Sequence, residues 1–94
     1  MEKDLLKIIE HFGAENQQRK LQEEVFELQE AIIRAENKYE PIQDIDHIAE
    51  EIADVMILLK QFQHYYKINR EDIRKVTKNK IKRTLERIES GYYD

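Results

Sequence analysis

Five acidic residues occur at spacings that can bring carboxylates together on helices. Glu23, Glu24 and Glu27 form the pattern E-E-x-x-E, and Glu51 and Asp54 form E-x-x-D. Residues three positions apart on a helix are neighbours on one side of it. Two antiparallel helices that each carry such a pair can therefore converge four carboxylates across their interface. Ligands of this kind suit Mg²⁺ or Mn²⁺, whereas the lack of a histidine three residues after the acids argues against a di-iron site.

The residues around these acids are apolar, which favours a buried cluster. Residues 48–62 read IAEEIADVMILLKQF, a stretch that is apolar on nearly every side of a helix. Burying two ionised carboxylates without partners costs on the order of several kcal/mol, so a divalent cation is the economical partner. The alternative is that these acids are ordinary solvated residues of helix surfaces, and we prefer that interpretation for Glu23 taken alone.

The amino-acid composition limits the kinds of fold and site that this chain can form. The chain has 94 residues, 38% of them charged, with two glycines, one proline and no cysteine. These values favour a single all-helical domain over residues 1–94 and argue against disulfides and thiolate metal sites. No run approaches the roughly 18 apolar residues of a membrane span, and nothing at the N-terminus resembles a signal peptide. We therefore expect a cytoplasmic protein with no membrane partner.

Hydrophobic periodicity predicts an all-α bundle of three substantial helices and one short N-terminal helix. Glycine, proline and capping residues mark the helix ends. The segment KYEPIQD, from Lys38 to Asp44, is the clearest interhelical loop. The predicted helices are Asp4 to Phe12 ended by Gly13, about Ala14 to Glu36, a central helix capped by Asp44 or Asp46 and reaching about Tyr66, and a last helix capped by Asn69 and ended by Gly91.

Two of these helices carry more apolar surface than one small chain can cover. The second helix has a second apolar spot at Phe26 and Ile33, apart from its core stripe, and the central helix is apolar nearly all round. We therefore expect oligomerisation, to a homodimer or a homotetramer. The expected core stripes are Leu21, Val25, Leu28, Ile32 and Ala35 on the second helix, and Ile48, Ile52, Val55, Leu59 and Phe62 on the central helix.

The paired acidic patterns resemble those of the all-α nucleoside triphosphate pyrophosphohydrolase superfamily, the MazG-like proteins. The likeness covers about Gln17 to Tyr66. It implies a MazG-like helical bundle and Mg²⁺-dependent hydrolysis between the α- and β-phosphates of a (deoxy)nucleoside triphosphate, which gives the monophosphate and pyrophosphate. The catalytic residues that it implies are Glu23 as an accessory, water-orienting group and, as Mg²⁺ ligands, Glu24, Glu27, Glu51 and Asp54.

A triphosphate substrate needs positive or polar groups for its phosphates. The segment Arg70 to Arg87 contains eight basic and three acidic residues. Within it Lys75, Asn79 and Arg83 recur at every fourth position and so share one side of the last helix, where they can grip phosphate oxygens. The alternative is a surface helix whose basic residues are merely solvated.

The base is expected to contact the region between the first two helices. Asn16 and Gln17, with Phe12 beside them, are the candidate substrate-binding residues there, and Tyr65 and Tyr66 are the alternative. His47 falls on the same side of the central helix as Glu51 and Asp54, so it can lie near the site. No residue pattern identifies the base itself.

Two other classes of function compete with hydrolysis. One is a helical adaptor or nucleic-acid-binding module whose basic last helix touches phosphates. The lack of interleaved aromatic residues in that helix and the net charge of −4 argue against it, so a nucleic-acid partner is not expected. The other is a family member that binds nucleotides without hydrolysing them. The complete set of four carboxylates argues against this second alternative.

Overall fold

The computed structural model describes residues 1–37 and 45–94, and these form an all-α fold. The helix ends lie within about two residues of the predicted ones where they can be compared. The predicted loop from Lys38 to Asp44, and with it the Asp44 cap, lies outside the described residues. The helices are α1 (Glu2–Phe12), α2 (Ala14–Ala35), α3 (Ile45–Tyr65) and α4 (Arg70–Glu89).

Local signals in the sequence set the helix ends. Gly13 separates α1 from α2 with a φ of 87°, a left-handed value that favours glycine, and its N–H donates to the carbonyl of Ile9 at 2.8 Å. The side chain of Asn69 accepts a hydrogen bond from the N–H of Glu71 at 2.8 Å and so caps α4, as predicted.

The first three helices pack together and form the core. α2 packs mainly on α3, and α1 lies on α3 with a smaller contact to α2. Gln17, near the start of α2, bonds to Gln61, near the end of α3, whereas Ala31 shares a depression with His47, near the start of α3. α2 and α3 are therefore antiparallel. The buried apolar residues are Leu5, Ile9, Ala31, Val55 and Leu58.

The inward faces of α2 and α3 differ from the predicted stripes. Val25 and Ile32 of α2, and Ile52 and Leu59 of α3, are half-exposed in the single chain. The helix α3 is apolar on almost every side, so periodicity could not show which side meets α2. Val55 of the predicted α3 stripe is buried, and the other buried residues, acids among them, are Gln17, Glu24 and Ala31 on α2 and Glu51, Leu58 and Gln61 on α3.

The last helix remains outside this core. None of its residues is buried, and it makes hardly any contact with the other described helices. Its apolar residues, from Ile73 to Ile88, are between 41% and 59% exposed, and Phe26 and Ile33 of α2 are 64% and 62% exposed. In the described part of the chain, no helix has both the length and the apolar character that crossing a membrane requires.

Candidate metal centre

The packing of α2 on α3 brings three acidic side chains together. One carboxylate oxygen from each of Glu24, Glu51 and Asp54 lies within 4.8 Å of the others. Glu24 and Glu51 are buried, whereas Asp54 is exposed. This group, called the carboxylate cluster below, contains three of the four predicted metal ligands and has Asp54 at its solvent side.

Two oxygens of the carboxylate cluster have no hydrogen-bond partner. They are Glu24 Oε2 and Glu51 Oε2, and both are buried. A buried carboxylate oxygen without a partner is costly, because it has lost its water without gaining a donor or a cation. A divalent cation bound between the three carboxylates would offset their negative charge and supply the partner that they lack. Since all the ligands are carboxylate oxygens, the set fits Mg²⁺ or Mn²⁺ better than a metal that prefers nitrogen or sulfur.

Glu27 lies beside the carboxylate cluster but outside its closest group. It is exposed, one helical turn after Glu24. Its pKa is raised above the ordinary glutamate value, mainly by the negative charge of Glu24, and also by loss of solvent and by the charge of Glu51. Glu27 is therefore close enough for the charges of Glu24 and Glu51 to act on it, and it could join them as a ligand of a cation.

Glu23 lies outside the carboxylate cluster. Its side chain is exposed and lines a shallow depression with Arg19, Phe26 and Glu27. The ammonium of Lys20 lies near it, with Nζ 3.9 Å from Glu23 Oε2. The accessory role that the resemblance implied for Glu23 stays a prediction.

Two basic side chains lie against the carboxylate cluster. Lys20 Nζ is 3.0 Å from Glu24 Oε1, and this hydrogen-bonded ion pair raises the pKa of Lys20. His47 Nε2 is 3.8 Å from Glu51 Oε1, on the side where the sequence placed it. Sequence reasoning missed Lys20, although its position four residues before Glu24 was the available signal.

A groove of about 350 Å³ adjoins the carboxylate cluster. Gln17 Nε2 donates a hydrogen bond of 2.8 Å to Gln61 Oε1 in its wall, and both side chains are buried. Gln61 was not predicted, although it lies seven residues after Asp54 and thus on the same side of α3. The groove is lined by Gln17, Lys20, Glu24, Asp54, Ile57, Leu58 and Gln61.

The other predicted substrate-binding residues are not gathered at this groove. Asn16 instead donates from Nδ2 to the carbonyl of Phe12 at 2.7 Å, which ties α2 to the end of α1. Lys75, Asn79 and Arg83 are exposed on α4, which scarcely touches the other described helices. Within one chain, the structure does not bring these three residues to the carboxylate cluster.

Comparison with protein families agrees with this geometry. Residues 12–88 match the MazG nucleotide pyrophosphohydrolase domain, and they contain the carboxylate cluster, the groove and nearly all of α4. The chain belongs to the MazG family. No curated protein and no solved structure matches it.

The MazG family is a family of nucleotide pyrophosphohydrolases. The matched residues include nearly all of α4, so the family pattern includes a helix that makes hardly any contact with the other described helices. Proteins of this family typically depend on a divalent metal, and the carboxylate cluster could hold one.

Proposed function

We propose that this MazG-family protein hydrolyses a (deoxy)nucleoside triphosphate to the monophosphate and pyrophosphate, with Mg²⁺ or Mn²⁺ as cofactor. Glu24, Glu51 and Asp54 would hold the cation, with Glu27 as the fourth ligand. The observation that carries this proposal is that the carboxylates of Glu24 and Glu51, each with a buried oxygen that has no hydrogen-bond partner, converge with that of Asp54.

A divalent cation bound here would neutralise phosphate charge and lower the pKa of a bound water. The protein itself holds the carboxylates that would bind the cation in position. Glu24 and Glu51 are held by the buried faces of α2 and α3, so their carboxylates have little freedom to move away. Asp54 stands at the exposed side, where a triphosphate could arrive from solvent.

The groove beside the carboxylate cluster is the proposed binding site for the part of the nucleotide that the cation does not contact. Ile57 and Leu58 offer apolar surface, and the amides of Gln17 and Gln61 offer both donors and acceptors. This supports the earlier assignment of Gln17 to substrate binding. Asn16 would act by holding the junction between α1 and α2 rather than by touching the ligand.

A second copy of the chain is the proposed partner for α4. That helix has an apolar stripe that the described residues of its own chain leave exposed, and Phe26 and Ile33 form another exposed apolar spot on α2. In a homodimer or homotetramer, Lys75, Asn79 and Arg83 could reach the phosphates of a nucleotide bound to a different copy. Their role in phosphate binding remains part of this proposal.

A panel of nucleoside triphosphates, incubated with the protein and Mg²⁺, tests the reaction through release of pyrophosphate. We expect pyrophosphate with at least one triphosphate and loss of that activity in Asp54→Asn. The matched control is Glu50→Gln, which alters an exposed acid of the same helix. Release of inorganic phosphate without pyrophosphate would contradict the proposed bond cleavage. Nucleotide binding with no turnover would identify the inactive family member instead.

A further inference from the structure

A cation of the protein already contacts the carboxylate cluster. Lys20 Nζ lies 3.0 Å from Glu24 Oε1, and the Lys20 side chain is 54% exposed whereas that of Glu24 is 8% exposed. The ammonium thus reaches from solvent onto a buried carboxylate. In the described part of the chain, Lys20 is the one lysine or arginine that forms an ion pair with the cluster.

Lys20 and the proposed cation would share the charge of one carboxylate. Glu24 Oε1 accepts the contact from Lys20, while Glu24 Oε2 is buried without a partner. An ammonium and a divalent cation attached to the same carboxylate repel each other, and they compete for its negative charge. The flexible four-carbon stem of a lysine allows it to move away from such a contact at little cost.

Lys20 also lines the groove proposed for the nucleotide, together with Glu24 and Asp54. A triphosphate held beside the carboxylate cluster would therefore place phosphate oxygens within reach of the ammonium. The basic residues of α4 have no such position within the chain. Hydrogen bonds between an ammonium and phosphate are among the stronger ones in proteins, because both partners are charged.

We propose that Lys20 is a place-holding cation. It pairs with Glu24 while the site is free of metal, and it turns to the phosphates of the nucleotide once a divalent cation has bound. This inference rests on the proposed function, because its second step needs a triphosphate at the carboxylate cluster. Lys20 thus opposes the binding of the metal and favours the binding of the phosphates.

These opposite effects make the inference testable with Lys20→Met, which keeps the stem and removes the charge. Calorimetric titration without nucleotide should show Mg²⁺ binding tightened about two- to five-fold. With Mg²⁺ saturating, binding of inorganic tripolyphosphate should weaken about ten-fold. Lys20→Arg keeps the positive charge and should therefore change both affinities less than Lys20→Met does. Lys7→Met, the same change at an exposed position of α1, is the control and should alter neither affinity.

A structural role for Lys20 would give a different result. In that case Lys20→Met would weaken the binding of both Mg²⁺ and tripolyphosphate, and it would lower the melting temperature. Weaker Mg²⁺ binding in a folded Lys20→Met protein, or unchanged tripolyphosphate binding, would overturn the inference. A wild-type protein that binds no Mg²⁺ and releases no pyrophosphate would refute the proposed function itself. A wild type that does both, with neither affinity shifted in Lys20→Met, refutes the role of Lys20 alone.

Discussion

Asp54 is the exposed member of the carboxylate cluster, so its charge can be removed with little disturbance of the core. In Asp54→Asn we predict no turnover, a metal-free protein at least as stable as wild type, and a smaller rise in Tm with Mg²⁺. Removing one of three like charges relieves repulsion, and it also removes an anionic ligand. In the wild type, Mg²⁺ at a hundred times its Kd should add about 2.7 kcal/mol to the free energy of unfolding. Thermal melting in EDTA measures the stability of the metal-free protein, and melting in millimolar Mg²⁺ measures the rise in Tm that the metal causes.

Two further variants act as comparisons for Asp54→Asn. Glu51→Gln should behave in the same way, because Glu51 has a buried, partnerless oxygen in the same group. Glu23→Gln should retain most of the Mg²⁺-induced rise, since Glu23 is exposed and is not one of the three carboxylates that converge. If Asp54→Asn instead melts far below wild type in EDTA and keeps the full Mg²⁺ effect, Asp54 is a structural residue and the metal assignment is wrong.

The raised pKa of Glu27 makes metal-free stability depend on pH. The charge of Glu24 favours the protonated form of Glu27 in the folded state, so the folded protein holds this proton to a higher pH than the unfolded chain does. The resulting stabilisation is complete below the ordinary glutamate pKa of about 4.3 and is lost as the pH rises through the raised pKa. Glu27→Gln should therefore lessen the fall of Tm, in EDTA, across the lower part of the range from about pH 4 to pH 7.

Loss of the Glu27 proton lowers the metal-free stability, but it should strengthen the binding of Mg²⁺. A protonated carboxyl is a poor ligand, so Mg²⁺ affinity should rise as Glu27 loses its proton. The control for both measurements is Glu10→Gln, an exposed acid of α1. Identical pH profiles for Glu27→Gln, Glu10→Gln and wild type would show that the charge on Glu27 does not influence folding.

At the scale of the helices, the bond from Gln17 to Gln61 connects α2 to α3 inside the core. Gln61→Ala removes the acceptor for the buried Gln17 amide, so we predict a loss of about 1–3 kcal/mol in the free energy of unfolding. Urea denaturation measures it. Gln17→Ala should then cost less in the Gln61→Ala background than in wild type, by about 1 kcal/mol.

Gln29→Ala is the matched control for these amide variants. Gln29 is an exposed glutamine of α2, so its replacement should change the free energy of unfolding by less than about 0.5 kcal/mol. Strictly additive effects of Gln17→Ala and Gln61→Ala would show that the two side chains do not support each other in solution.

At the scale of the whole molecule, the uncovered apolar surface predicts assembly. Light scattering at micromolar concentration should give the mass of at least a dimer. Phe26→Glu should lower that mass, because Phe26 is 64% exposed in the single chain and a carboxylate at an apolar interface is strongly unfavourable. Gln29→Glu adds the same charge at an exposed polar position of the same helix and should leave the mass unchanged. A stable wild-type monomer would refute the assembly.

Several features of the protein followed from the sequence by itself. The helix order and the helix ends followed from local signals, such as Gly13 between α1 and α2 and Asn69 at the start of α4. The spacing of Glu51 and Asp54 was enough to place both on one side of α3, since that spacing depends only on helix geometry. The same argument placed His47 beside Glu51.

Only the tertiary structure decided which sides of the helices meet. Because α3 is apolar almost all round, its periodicity is equally consistent with several directions of packing. The contact with α2 selected the side that carries Glu51 and Gln61, and it left Ile52 and Leu59 half-exposed. Lys20 and Gln61 therefore lie at the site because α2 packs on α3 in this way. The spacing of residues along one helix does not specify how two helices pack.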